Sequence, residues 1–265
     1  MTAGPQHAPG RPVRYAVGLP NVGEFGDQRV LLDLAVAAEQ HGWDGVHLWD
    51  HLLYHQPDWP VTSPFAAAAS IAAVTSKLHV ILTVNLPRRQ VQDVAQDTAA
   101  IQSLSGGRLT IVTIIGSMDR EYTEFGLDPD LRARGRALDV RLQQLAGLWS
   151  AWRVPSTPIW CGGRWPSKPG MRRAARHDGA MLTFADQREH NVPLAEFAAA
   201  ASFTGGLAPR PIDIAVEGAT SGPADAVVLL PYAQAGMTWW IEALGWWRGG
   251  VSAAVARIPL GPPSA

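Results

Sequence analysis

The segment Cys161 to Arg173, CGGRWPSKPGMRR, sets two glycines beside Arg164, Lys168, Arg172 and Arg173 around the start of a helix. Glycine lets a ligand approach the backbone closely, and helix N-termini attract anions, so this composition suits a phosphate group. The competing account is that Gly162-Gly163 only turns the chain while the cations face water. Asp50-His51 is the second candidate. An imidazole one residue past a strand end can donate a hydrogen bond or move a proton near neutral pH, although a histidine there can also simply cap a loop. Asp50, His51 and His55 resemble a metal set, with the histidines four apart, but a bound metal ordinarily needs three or four placed ligands. No Ser/His/Asp nucleophile motif and no paired-carboxylate motif stands out.

Lysine and tryptophan narrow the chemistry further. The only lysines, Lys77 and Lys168, lie outside the strands, which argues against a Schiff-base aldolase, since that reaction needs a desolvated lysine in the core. Trp49, Trp160, Trp165, Trp239 and Trp240 fall in or next to strands. They can stack on a planar ring, but large aromatics more often pack between layers of structure.

The elements that must hold these residues alternate in type. From Ile101 to Gly126 the chain reads helix end, Ser105-Gly106-Gly107 stop, β-branched strand Leu109 to Ile115 and a loop led by Gly116. A strand apolar on both faces marks a parallel sheet covered by helices. Strands are expected at Val13 to Leu19, Gly45 to Trp49, Leu78 to Val84, Leu109 to Ile115, Pro158 to Cys161, Ala180 to Phe184, Ile212 to Glu217 and Met237 to Glu242. Helices are expected between them, among them Asp27 to His41, Pro64 to about Ala73, Leu131 to Trp149, Gly170 to His177, Leu194 to Ser202 and Ala224 to Ala235, with a last one near Ser252 to Ile258. Eight such units predict an α/β fold, a (β/α)8 TIM barrel, with a doubly wound open sheet as the alternative. In a barrel the residues past each strand end meet at one mouth: Asn21, Asp50, His51, Asn85, Gly116 to Glu121, Gly162 to Lys168, Phe184, Asp186, Glu217 and Glu242.

Composition sets outer bounds. A chain of 265 residues with 47% hydrophobic content can bury the core of a single barrel domain, expected over residues 13–258, between tails at 1–12 and 259–265. The net charge of −1 provides no overall field for nucleic acid or anionic lipid, so any anion site must be local. With Cys161 as the single cysteine, an intrachain disulfide framework is excluded and a reducing cytoplasm fits. No apolar run reaches membrane-span length, so neither a membrane nor a nucleic acid is an expected partner.

The motifs LSGGRLTIVTIIG, EYTEFG, PIWCGG and the strand-ending WDH, in that company, resemble the bacterial luciferase-like monooxygenases. The pieces GLPNVGEFGD, AEQHGWDGVHLWDH, SIAAVTSKLHV and AGMTWWIEALG extend the resemblance over about Tyr15 to Arg248. It implies a (β/α)8 barrel binding FMN or the deazaflavin coenzyme F-420 at the strand carboxyl ends. The chemistry implied is monooxygenation with reduced FMN and oxygen, or hydride transfer with F-420, on a small organic substrate. By the same resemblance His51 stands beside the reactive part of the ring and Asp50 orients its loop. Asn21, Gly116 and Glu121 line the site, Asn85 meets the ring edge, and a non-proline cis peptide falls at Thr83-Val84. Gly162, Gly163 and Arg164 approach the cofactor phosphate. A homodimer is implied too, together with a flavin reductase as a partner.

Two departures from the family pattern stand out. Val112-Thr113-Ile114-Ile115 replaces the glycines that often end the fourth strand, and the connection between the fourth helix and the fifth strand, Trp149 to Pro158, is short. They motivate a rival reading, a non-catalytic barrel that serves as a partner subunit. A metal-dependent barrel hydrolase is the third reading.

Overall fold

The computed structural model describes residues 12–54 and 56–263; all of the expected N-terminal tail but Pro12, and His55 of the metal reading, lie outside them. The strands are β1 Arg14–Leu19, β2 Gly45–Leu48, β3 His79–Asn85, β4 Leu109–Ile114, β5 Ile159–Arg164, β6 Gly179–Thr183, β7 Asp213–Gly218 and β8 Trp239–Ala243. They close into a barrel in sequence order, all neighbours parallel, with β8 returning to β1 so that Arg14 stands opposite Trp239. The open-sheet alternative is thereby excluded, and every strand delivers its carboxyl end to the same rim.

Helices α1 Gln28–Gln40, α2 Pro64–Val74, α3 Val91–Leu104, α4 Arg120–Thr123, α5 Leu131–Trp152, α6 Pro169–Ala174, α7 Leu194–Leu207, α8 Ala226–Gln234 and α9 Gly250–Arg257 fill the connections. Local chemistry sets their ends. Asp27, Ser63 and Asp130 accept the Arg29, Ala66 and Ala133 N–H groups as N-caps, satisfying donors that the first turn leaves over. Gly106 and Gly107 follow α3 at φ +64° and +91°, the left-handed stop expected there.

Alternation along the strands separates two cores. Ala16, Ile81, Val112, Trp160, Met181, Ala215, Trp239 and Ile241 fill the lumen, while a larger cluster that includes Trp240 lies between strands and helices. The tryptophans therefore divide: Trp160 and Trp239 point inward and Trp240 outward. Glycine makes room for the inward pair, since a Cβ at Gly179 would come within 2.4 Å of Trp160 and one at Gly45 within 3.2 Å of Trp239.

Several expectations need correction. Among the described residues the one cis peptide bond is Trp165-Pro166, not Thr83-Val84; Thr83, Val84 and Asn85 stay in register with Val112, Thr113 and Ile114, so the strand runs through without a break. Gly162, Gly163 and Arg164, expected in a loop, pair with Met181, Leu182 and Thr183 as the end of β5. Glu121 sits on the one-turn α4 rather than in an open loop. The short connection before β5 shrinks further because α5 runs on to Trp152, where Arg153 ends it at φ 54°. Beyond α9 the chain forms a 3-10 turn, Ile258–Leu260, and Arg257 donates to the Gly261 carbonyl.

The β5 glycines have a packing role. Gly170 of α6 lies so close that an added Cβ would stand 2.5 Å from the Gly162 oxygen and 2.7 Å from the Gly163 Cα. Alanine in a helix gains up to about 1 kcal/mol over glycine, but here it must push backbone apart, which costs about 1–3 kcal/mol. Gly170→Ala is therefore expected to lower the urea midpoint of unfolding, whereas a rise in the midpoint would contradict the close packing.

Candidate functional site

The site is built on a run of buried charges at the carboxyl ends of β2, β3 and β4. Asp50, the second residue past β2, is completely buried and accepts the Asn85 N–H at 2.8 Å, Arg88 at 2.7 Å and Arg89 at 2.6 and 3.0 Å. Burial by itself would raise its carboxyl, but the Arg89 and Arg88 guanidiniums and the Asn85 N–H outweigh it and hold the group below the ordinary value. Both arginines come from the turn after β3, so Asp50 ties two strand ends together.

Arg88 carries the run onward. Its Nη1 lies 2.8 Å from Glu121 Oε2, an ion pair rather than an aligned hydrogen bond, since neither atom meets hydrogen-bond geometry. The other oxygen, Oε1, accepts the Leu52 and Leu53 N–H groups at 2.6 and 3.2 Å and stands 3.1 Å from His51 Nδ1. Glu121 is completely buried; burial would raise its carboxyl, yet His51, Arg88 and the Leu52 N–H hold it below the ordinary value. An ionised carboxylate only accepts, so Nδ1 of His51 carries the proton and Nε2 is left for the mouth. Asn21 fixes the same loop by donating to the His51 and Thr62 carbonyls at 2.8 and 2.9 Å and accepting the His51 N–H at 2.9 Å.

Asn85, at the end of β3, lies 2.5 Å from the Tyr122 hydroxyl, which is also 2.9 Å from the Ile115 carbonyl. The far end of its amide has no hydrogen-bond partner among the described residues and abuts Gly116. A Cβ at Gly116 would fall 2.5 Å from that amide, and its φ of +75° favours glycine independently. Asn21, Asp50, His51, Asn85, Gly116 and Glu121 are thus brought together.

The β5 group is not part of this assembly. Gly162 and Gly163 pack on α6, and a Cβ at Gly162 would also strike Ile114, which packs against the lumen cluster. Arg164 is exposed, Arg173 binds Asp139 at 2.8 and 3.0 Å, and Lys168 lies over Phe203. The metal reading loses its carboxylate to Arg88 and Arg89, and among the described residues no cluster of His, Cys, Asp and Glu has metal-site geometry.

Several further residues near the mouth escape the motifs. His47 points into the lumen, its Nε2 2.8 Å from Thr83 Oγ1 and its Nδ1 3.1 Å from Glu217 Oε1, which Trp49 Nε1 approaches at 3.4 Å. The available signal was alternation along β2, which turns Val46 outward and His47 inward. Above this floor Trp247 stacks on Trp49 at 5.4 Å, with Trp246 and Tyr54 beside them. The mouth is therefore lined and partly filled by the chain's own rings. The surface depressions that stand out lie elsewhere, one of about 440 Å³ beside Arg14 and Asp213 and one of about 480 Å³ beside Trp149 and Asp178.

A family profile described as luciferase-like monooxygenase matches residues 18–225. Pyrimidine monooxygenase RutA of Enterobacter sp. (strain 638) is 28% identical over 169 residues, which are 56% of this chain and 43% of that protein. The chain thus spans less than half the length of the curated relatives it matches. Among solved structures, an F-420-dependent secondary alcohol dehydrogenase superposes with TM-score 0.74 at 15% identity, covering 94% of this chain and 97% of that one. EDTA monooxygenase from Chelativorans sp. BNC1 superposes with TM-score 0.64 at 15% identity, covering 86% and 67%. These likenesses bear out the luciferase-like barrel.

Removing one partner of a buried ion pair strands the other and costs about 3–5 kcal/mol. Glu121→Gln and Asp50→Asn are each expected to lose stability in that range by denaturant titration, and losses under 1 kcal/mol would refute the charge run. Acid is expected to act in the same direction. Both carboxyls sit below their ordinary values of 3.8 and 4.5, so their contribution is full above about pH 5 and is lost as pH falls through the native values.

Proposed function

The chain belongs to the luciferase-like monooxygenase family, and on that premise we propose that it is a flavin-type oxidoreductase that takes FMN or F-420 at the barrel mouth. The observation that supports this reading most is His51, whose imidazole is held through Nδ1 by a buried carboxylate, which leaves Nε2 uncommitted, and whose ring adjoins Trp49 and Tyr54 at the mouth. Two features fit a planar, polar-edged group there: that nitrogen, and the Asn85 amide end without a hydrogen-bond partner beside Gly116. When bound, such a group supplies oxygen activation in the reduced FMN form, or hydride transfer in the F-420 form.

The chain's own residues do the rest. His51 holds or passes a proton at Nε2 beside the reacting centre, while Glu121 fixes the ring and balances the charge when both nitrogens are protonated. Asp50 keeps the loop in place through Arg88 and Arg89 without reaching the mouth. Asn85 hydrogen-bonds the ring edge. The substrate is a small organic molecule. A homodimer supplied by a separate flavin reductase completes the proposal, and the exposed Val227, Val228 and Leu230 of α8 are apolar surface that a dimer would cover.

The filled mouth also favours one rival, a barrel that works only beside an active relative. Turnover by the isolated chain excludes it. Titration with FMN and F-420, each oxidised and reduced and followed by absorbance, is expected to show saturable binding of one of them. Failure of all four forms to bind overturns the flavin reading. With that cofactor, His51→Asn is expected to lower kcat about 10²–10⁴-fold while its Kd moves only a few-fold.

A further inference from the structure

Four rings at the mouth surround one point. Trp49, Tyr54, Trp246 and Trp247 form a closed circuit with successive centroids 6.2, 5.0, 4.7 and 5.4 Å apart. The Arg188 guanidinium lies over all four, 5.7, 5.3, 5.6 and 5.2 Å from their centroids, and donates to the Tyr54 hydroxyl. Beneath them is Glu217, mostly buried, held at the barrel floor by His47 and Trp49 and acting electrostatically on Arg188. Ring faces attract cations within about 6 Å, and a carboxylate behind them adds to the attraction. His51 adjoins the same rings, 4.5 Å from Tyr54 and 5.7 Å from Trp49.

Arg188 is a tethered occupant of this nest. Its loop, between β6 and α7, is fixed on both sides: Gln187 accepts the Phe184 N–H and donates to the Glu217 carbonyl, and Asn191 bonds Ala219 in both directions. The loop is therefore tied down on both sides of Arg188, whose partly exposed side chain reaches over the rings from it. We propose that the nest is a binding site for an organic cation, an alkylammonium or alkylguanidinium group, which enters by displacing the Arg188 side chain. Placing the bound cation beside a reacting ring rests on the flavin reading above, but the binding does not. The alternative, that Arg188 anchors an anionic ligand, would set that anion against Glu217.

A tethered competitor acts at an effective concentration near the millimolar range and lowers the apparent affinity of any free guest. Tryptophan fluorescence of the cofactor-free chain, titrated with tetramethylammonium, methylguanidinium and benzoate at constant ionic strength, tests this. Arg188→Ala is expected to bind at least one of the cations about tenfold more tightly than the parent chain, and adding Trp247→Ala is expected to abolish the gain. Arg188→Gln, which keeps more of the side-chain bulk, should give the same gain if the alanine variant folds poorly. Equal or weaker binding of both cations by the Arg188 variants overturns the proposal, as does benzoate binding that disappears with Arg188. Cation binding in a chain that takes no flavin would leave this site standing while removing the flavin reading.

Discussion

The structure depends on three charged side chains and an imidazole that leave water together. Asp50, Arg88 and Glu121 are buried and His51 nearly so, and such groups are tolerable only if each satisfies the next. Asp50 needs the arginines of the turn after β3, Arg88 needs Glu121 from α4, and Glu121 needs the backbone and imidazole of the loop after β2. Three strand ends are thereby locked in one arrangement. Its product is a histidine with one nitrogen committed and the other presented to the mouth.

The barrel makes that arrangement possible. Closure of β1 onto β8 puts every strand end on one rim, and the inward tryptophans fill the lumen below it, so the polar groups sit on a solid floor. His47 and Glu217 are the only ionisable pair that reaches across that floor among the described contacts, linking β2 to β7. The Glu217 carboxylate also meets Trp49 Nε1, so the barrel floor is tied to the aromatic rings that His51 adjoins.

The fold was legible because its signals are local. Apolar β-branched runs, caps such as Ser63-Pro64 and the glycine stop after α3 each act within a few residues, and eight repetitions leave few architectures. Asp50, His51 and Glu121 were legible as positions, since strand-ending WDH and EYTEFG mark the rim. Their bonding was not, because Arg88 lies 38 residues from Asp50 and His51 lies 70 from Glu121. Gly162-Gly163 reads two ways for a physical reason: a glycine pair serves phosphate approach and strand-to-helix contact alike, and the structure adds the second at Gly170. The cis bond at Thr83-Val84 came from resemblance, and unbroken pairing with β4 overrides it.

The central claim is that Glu121 fixes His51 with the proton on Nδ1 and Nε2 turned to the mouth. Nitrogen-15 NMR of the imidazole reads this directly, because the protonated and unprotonated ring nitrogens of a neutral histidine have different shifts. For the neutral ring the expected spectrum shows a protonated Nδ1 and an unprotonated Nε2, with the preference lost in Glu121→Gln. A proton on Nε2 in the parent chain, or a spectrum unchanged by Glu121→Gln, would contradict the account.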